Sequence, residues 1–362
     1  MAGIRSIGWW VPPGRRAAAD IADDHGLARD AIAKLGLFTK AVPGDDDHPS
    51  TMGARATRHA LAAAGLGVDE LDLLVFAGVT RDWPAPWVAA FGVLHELGAQ
   101  RAAGLDLANR CAGGIDALWL AKVLVDSGAH RTIAVCCADR YDHVLDPHRR
   151  RTELVTDAVY AAGAATAIVT ADAGNAIAAW SHLTNADLSA HAAGGPLAGG
   201  TRRPVDEAAV REALQHWRSR LSIGASDQIA RYSADADRHN YRRLFEQTGW
   251  TGVDFAACSP VVPGPQLEVL AELGIDPGAT LFTIPHLGHI GPADLLLILG
   301  IATAVGRRVG PRVALSVRTP VYASALAIAG HGDDLAIRVA GTGVDTSLWT
   351  EIPARERDDA RR

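Results

Sequence analysis

The chain has no run of the roughly 18 apolar residues that a membrane-spanning helix requires. Its opening, MAGIRSIGWWVPPG, lacks the basic-then-apolar order of a secretory signal. These absences predict a cytoplasmic protein with no membrane partner. Cysteine is scarce: Cys111, Cys136, Cys137 and Cys258 stand at no metal-ligand spacing, which argues against a zinc site and a disulfide framework and predicts reduced thiols. Charge of one sign is not in excess, because a net −6 gives no global attraction to nucleic acid or an anionic membrane. What is present is an ordinary globular composition, 48% hydrophobic and 21% charged over 362 residues, long enough for two domains or one large duplicated unit.

The stretch ARATRHALAAAGLGVDELDLLVFAG reads as a helix, a polar turn and a buried strand over about Leu71 to Ala77. YRRLFEQTGWTGVDFAACSP repeats that order in the second half. Each copy is followed by a glycine-containing turn, an apolar helix and a strand: GIDALWLAKVLVDSG then TIAVCCAD, and ADLLLILGIATAVG then RVALSVRT. Asp72 precedes Thr132 by nearly the interval at which Asp254 precedes Val313. Matched elements at matched spacing predict two βα-rich halves related by duplication, with mostly parallel, buried sheets and helices on their faces. The expected division falls near Ala171, in a strand, polar turn, strand run, giving halves at 1–171 and 172–350 and a charged, frayed tail at 351–362. The glycine- and alanine-rich stretch from Ala186 to Arg203 is expected to be a loop near a site or a cover.

Two stretches carry chemistry. In LDLANRCAGGIDALWLA, Cys111 stands where an apolar strand is expected to turn directly into a helix. Unpaired N–H groups and the positive end of the helix dipole favour a thiolate there. Gly113 and Gly114 are expected to leave room beside the sulfur for an extended acyl thioester. Helical spacing resumes at Ile115, Leu118, Trp119 and Leu120, with a stop at Gly128. The competing reading is a buried thiol packed as a small hydrophobe. In IPHLGHIGPADLLLILG, Pro292 suits a first helical turn and Asp294 is stabilised there by the dipole. Alternatively, Asp294 accepts the second N–H of His289, fixes its tautomer and stabilises the imidazolium. Both readings of Asp294 stand at this level.

The order of elements, CAGG at the first nucleophile-type turn and the duplicated halves resemble the thiolase superfamily, and within it β-ketoacyl-acyl-carrier-protein synthase III, over roughly Gly3 to Ala340. The resemblance implies an α/β fold in five layers, αβαβα, a homodimer, and acylation of Cys111. It implies acyl-CoA or an acyl carrier protein as substrate and no cofactor beyond that thioester. The chain departs from the condensing members at two places. Where they use a histidine from an HQAN-like motif, this chain reads CSPVVPG, with Ser259 or Pro260 near that position; where they use an asparagine from a second loop, it has His289. The remaining Cys111, His289 and Asp294 resemble a divergent branch of secondary metabolism that includes the cervimycin-type acyltransferases of antibiotic biosynthesis. These pass an acyl group to a hydroxyl, an amine or a carrier instead of forming a carbon–carbon bond. A decarboxylating synthase III and a non-catalytic thiolase-fold subunit are the alternatives.

The same resemblance implies further contacts. The Cys111 N–H is one oxyanion donor. The family's glycine-rich turn for the second donor is replaced by SVRTPVYASALAI, in which Pro320 has no N–H and the amide of Val321 or Tyr322 is the expected substitute. Trp83 and Trp87 would shape an acyl tunnel across a dimer interface, or else pack as ordinary aromatics. The run HRRR from His148 to Arg151 would hold CoA phosphates or an acidic carrier face, or else form a solvated basic loop. Lys34 falls near the CoA entrance, and His191 is a rival base to His289.

Overall fold

The computed structural model describes residues 1–24, 26–84, 86–141, 158–185, 226–259, 263–319 and 322–350. Its strands are β1 (Ala2–Trp10), β2 (Gly14–Ala17), β3 (Thr39–Val42), β4 (Leu73–Phe76), β5 (Ala103–Asp106), β6 (Thr132–Arg140), β7 (Ala162–Ala171), β8 (Asn175–Thr184), β9 (Phe255–Cys258), β10 (Arg312–Arg318), β11 (Tyr322–Gly330) and β12 (Arg338–Thr342). Its α-helices are α1 (Ala18–Asp24), α2 (Arg29–Ala33), α3 (Pro49–Ala64), α4 (Ala89–Leu97), α5 (Gly113–Asp126), α6 (Ser226–Thr248), α7 (Gly264–Glu272), α8 (Ile284–Leu287) and α9 (Ala293–Ala304).

The main sheet has the order β5-β4-β6-β7-β1-β8-β11-β10-β9, with β12 parallel to β1. Contrary to the expectation of mostly parallel sheets, the pairings from β6 through β7, β1, β8 and β11 to β10 are antiparallel, and parallel pairing is confined to β5-β4-β6, β10-β9 and β1-β12. The repeat in the sequence is visible in this order. Numbered within the first half, the strands run third, second, fourth, fifth, first. Read inward from β9, the second half runs the same way, except that the place of β5 is taken by a single parallel bridge between Ala256 and Thr280. The two aspartates that marked the repeat hold equivalent places. Asp72 donates its N–H to Thr132 O and accepts from the Thr132 N–H at 3.0 Å, while Asp254 donates to Arg312 O and accepts from the Arg312 N–H at 3.0 Å. Each ties the start of one parallel strand to the next.

The layers follow from what each helix touches. α3 and α4 cover the outer face of the first half and α6 that of the second, where Leu270 of α7 joins the same buried cluster as Tyr241 and Ala256. Between them lie α5 and α9: α5 meets β6, β7 and β1 on one side and β11 and β8 on the other, and α9 meets β7, β1 and β6 on one side and β9 on the other. The order is αβαβα, as the resemblance implied. A helix flanked by the two halves of the sheet has no polar face to keep, which is why ADLLLILGIATA has no amphipathic period and is buried from Ala293 through Ala302. Strand alternation partitions the core in the same way. Val135 and Cys137 of β6 join the central cluster with Ile115 and Leu297, whereas Ala134 and Cys136 join the outer cluster with Met52 and Val93. The adjacent cysteines therefore face opposite sides of the sheet.

Replacing a fully buried leucine of α9 tests this layering. Leu299→Ala is expected to cost about 2–5 kcal/mol in chemical denaturation, against roughly 0.5 kcal/mol or less for Val123→Ala on the exposed side of α5.

Candidate active site

Cys111 does not follow its strand directly. β5 ends at Asp106, whose carboxylate accepts the Ala89 and Ala90 N–H groups at the start of α4 at 3.0 and 2.9 Å. The chain then passes through a single helical turn, Arg110–Ala112, before α5 begins. Arg110 has φ of 49°, a left-handed conformation that costs a non-glycine residue on the order of 1–2 kcal/mol. β5 itself is an edge strand of alternating exposure, not a buried apolar one, because it has a neighbour on one side only. Gly113 and Gly114 also differ from expectation. A Cβ on Gly114 would lie 3.0 Å from Cys137 Sγ and 3.1 Å from Pro292 O, and one on Gly113 would lie 3.0 Å from Ala77 O. They admit neighbouring protein instead of a thioester, bringing the start of α5 against the start of α9.

Of the four free cysteines, Cys111 alone is half-buried. Burial pushes the Cys136 thiol up to about 11 and the Cys258 thiol up to about 12, and raises Cys137 as well, so these three remain protonated packing groups.

His289 lies across from the sulfur, with Nε2 3.5 Å from Cys111 Sγ. Its Nδ1 bonds Asp294 Oδ2 at 2.6 Å, and the other carboxylate oxygen accepts the Ile290 N–H at 2.8 Å. The backbone of His289 is fixed on both sides: its amide N–H donates to Val159 O at 2.7 Å, and its carbonyl accepts the Ala161 N–H at 3.0 Å. The glycines on either side are required by geometry. Gly288 and Gly291 have φ of 78° and 62°, and a Cβ at Gly288 would lie 2.5 Å from Val159 O. His289 and Asp294 are 2% and 1% exposed. Burial alone pushes the imidazole down; the Asp294 carboxylate beside it outweighs that and holds His289 well above the ordinary histidine range. Asp294 thus does what both of its sequence readings describe: it sits in the first turn of α9 and it orients His289.

Two groups that the sequence did not single out join this site. Ser259, noted only as unable to replace a histidine, donates its hydroxyl to Asp294 Oδ2 at 2.9 Å. Asp116 follows Cys111 by the interval at which Asp294 follows His289, and that shared spacing was a readable signal. Its carboxylate accepts Trp180 Nε1 at 2.9 Å and Ser324 Oγ at 3.0 Å, lies 3.3 Å from His182 Nδ1, and also bonds the Asn109 amide. Burial pushes Asp116 up, but these partners, His182 first, hold it below its ordinary value.

The remaining expectations divide. The Cys111 N–H donates to Tyr322 Oη at 2.9 Å. The Tyr322 amide donates to Thr319 Oγ1 at 3.2 Å, which removes it as the substitute oxyanion donor. Lys34 is exposed at the end of α2; Lys40, by contrast, is buried, with Nζ donating to the Tyr160 carbonyl at 2.9 Å, and the Tyr160 ring lies 5.3 Å from that of His289. Trp83 and Trp87 line a surface hollow with Ser50, Asp82, Phe91 and His95, which contains none of Cys111, His289 and Asp294. Arg151 with the HRRR run, His191, Pro260, Val321 and the tail lie outside the described residues.

A model of the family described as 3-oxoacyl-[acyl-carrier-protein] synthase III matches residues 105–186, the stretch that contains Cys111 and Asp116. A solved structure of 3-oxoacyl-(acyl carrier protein) synthase III from Pseudomonas aeruginosa PAO1 superposes with a TM-score of 0.74 at 19% identity, covering 91% of this chain and 98% of that one. The fold is thiolase-like. Among sequence relatives, β-ketoacyl-[acyl-carrier-protein] synthase III of Sulfurovum sp. (strain NBC37-1) is 29% identical over 171 residues, 47% of this chain and 49% of the relative. The namesake from Rhizobium rhizogenes (strain K84 / ATCC BAA-868) is 25% identical over 286 residues, 76% of this chain and 82% of the relative. The chain spans about half the length of the first curated relatives it matches. No helix among the described residues is long and apolar enough to cross a membrane.

The His289–Asp294 pair makes stability depend on pH with a definite sign. A histidine whose folded pKa is raised contributes stability that is full below its unfolded value of about 6.5 and is lost as pH rises through the folded value. Asp294→Asn removes the cause of the shift. The gap in melting temperature between wild type and Asp294→Asn is therefore expected to be widest at about pH 5–6 and to narrow in alkaline buffer. A gap that stays constant across that range contradicts the pair.

Proposed function

We propose that the protein is a cytoplasmic acyltransferase of secondary metabolism that takes an acyl group from acyl-CoA or an acyl carrier protein onto Cys111 and passes it to a hydroxyl, amine or carrier thiol. One observation carries this reading: His289 Nε2 is 3.5 Å from Cys111 Sγ while Nδ1 is held by a buried Asp294. Sγ loses its proton to Nε2 and attacks the thioester carbon. The new carbon–sulfur bond forms, the donor's carbon–sulfur bond breaks, and the imidazolium returns the proton to the departing thiolate. In the second half, His289 takes the proton of the acceptor as it attacks the acyl carbon, and Cys111 leaves as thiolate and is reprotonated by the imidazolium.

Ser259 supports transfer to oxygen, nitrogen or sulfur over condensation. An enolate formed by loss of carbon dioxide needs donors aimed at its oxygen, and here the hydroxyl at that position is turned to Asp294. The names of the similar proteins favour the second reading, a decarboxylating synthase that forms a carbon–carbon bond. The proposal includes a homodimer. It is supported by the open edge of β5, where Leu105 is 41% exposed, and by exposed Phe91 and Trp83 on the α4 side.

Intact mass after incubation with acyl-CoAs is expected to show one acyl adduct on wild type and none on Cys111→Ala. His289→Ala is expected to retain an adduct and release it to acceptor about 100- to 10,000-fold more slowly. An adduct that persists in Cys111→Ala, or normal transfer by His289→Ala, removes the assignment. Carbon dioxide released from a malonyl thioester in a Cys111-dependent way selects the condensing reading instead.

A further inference from the structure

The N–H of Cys111 already has a partner. It donates to Tyr322 Oη at 2.9 Å, so a phenol oxygen occupies the place that the carbonyl oxygen of an acyl thioester takes when the sulfur attacks its carbon. Of the two amides expected as the second donor, that of Val321 lies outside the described residues and that of Tyr322 is already engaged. Pro320 has no N–H, and the Tyr322 amide is bonded to Thr319 Oγ1. A hydroxyl carries one hydrogen and two lone pairs, so accepting from Cys111 leaves the Tyr322 O–H to donate.

The strand and one stacked ring place the phenol beside Cys111. Tyr322 is 4% exposed and begins β11, paired with Thr184 of β8. Its carbonyl accepts the Thr319 N–H at 2.7 Å. Its ring stacks on that of His182 at 6.4 Å and 16°, and His182 is in turn fixed by Asp116. Burial, with the Cys111 thiol next to it, raises the phenol well above its ordinary range, so the hydroxyl keeps its hydrogen.

We propose that the Tyr322 hydroxyl is the second oxyanion donor of this site, a side-chain group where the resemblance led us to expect a backbone amide. In the resting protein it rests on the Cys111 N–H. When Sγ bonds to the thioester carbon, the carbonyl π pair moves onto oxygen. That oxygen takes the place on the Cys111 N–H, and the phenol yields it and turns its O–H onto the new anion. Collapse returns the pair to the carbonyl and expels the donor thiolate, with the Tyr322 proton never transferred. The role rests on the acyl-transfer reading of Cys111, and the Asp116–His182 pair acts through Tyr322 as a positioning element.

The test separates carbonyl chemistry from thiol reactivity. Wild type and Tyr322→Phe are compared in two reactions at Cys111, with Cys111→Ala as blank: acylation by p-nitrophenyl acetate, which passes through an oxyanion, and alkylation by iodoacetamide, which does not. Tyr322→Phe keeps the ring and its packing, and the alkylation arm also reports whether the site is folded. The expected result is acylation slowed about 100- to 1,000-fold, the usual effect of losing one such donor, with alkylation unchanged. Acylation at the wild-type rate or faster overturns the proposal, since the hydroxyl would then merely fill the place. Both reactions slowed alike also overturns it, because the effect would lie on the thiol. Wild type reacting with the ester but with no acyl-CoA would end the acyl-transfer reading and leave the donor assignment standing.

Discussion

The site depends on the close contact between the first turns of two central helices. α5 carries Cys111 at its approach and α9 carries Asp294 in its first turn, and Gly114 lets the two starts meet at Pro292. Any side chain there would meet Pro292 O or Cys137 Sγ and open the gap across which His289 reaches the sulfur. α9 can occupy this place because it is apolar on all sides with strands on both flanks, whereas α5 turns Ile115, Ala117, Leu118 and Ala121 to the core and carries Asp116, Lys122 and an exposed Val123 as well.

The repeated order of elements sets reactive groups on both sides of that contact. The two central helices hold equivalent places in the two halves, and the interval from Cys111 to Asp116 equals that from His289 to Asp294. The corresponding position is a thiol in the first half and an imidazole in the second, and each is followed five residues on by a carboxylate, half-buried at Asp116 and buried at Asp294. The halves then diverge in what the carboxylate holds. Asp294 supports the imidazole directly, whereas Asp116 gathers Trp180, Ser324 and His182, of which His182 stacks on the ring of Tyr322.

Burial gives these groups their character. Three cysteines sink into sheet faces and are driven toward the neutral thiol, while the fourth sits at a turn beside a histidine that its carboxylate keeps readily protonated. The acid, the imidazole and the sulfur form one chain of contacts, anchored at its far end by Ser259. A polar chain of this kind in an apolar interior is costly unless its members are partnered, and here each of these bonds removes one unsatisfied group.

The α/β class, the repeated strand and helix order, the buried run of α9 and the pairing of His289 with Asp294 were legible in the sequence. They rest on local periodicity and short spacing, which the chain carries in its own order. The strained turn at Arg110, the packing role of Gly113 and Gly114, and the reach of Ser259 to Asp294 were not legible, because each depends on atoms from distant segments. Tyr322 shows the limit most clearly. Its backbone position was within view, yet its hydroxyl meets a backbone N–H 211 residues away. The sequence by itself determined which residues had chemistry to offer and on which elements they lie. Only the tertiary structure decided which of them touch, since distance across a folded interior is set by how the two halves pack against their shared helices.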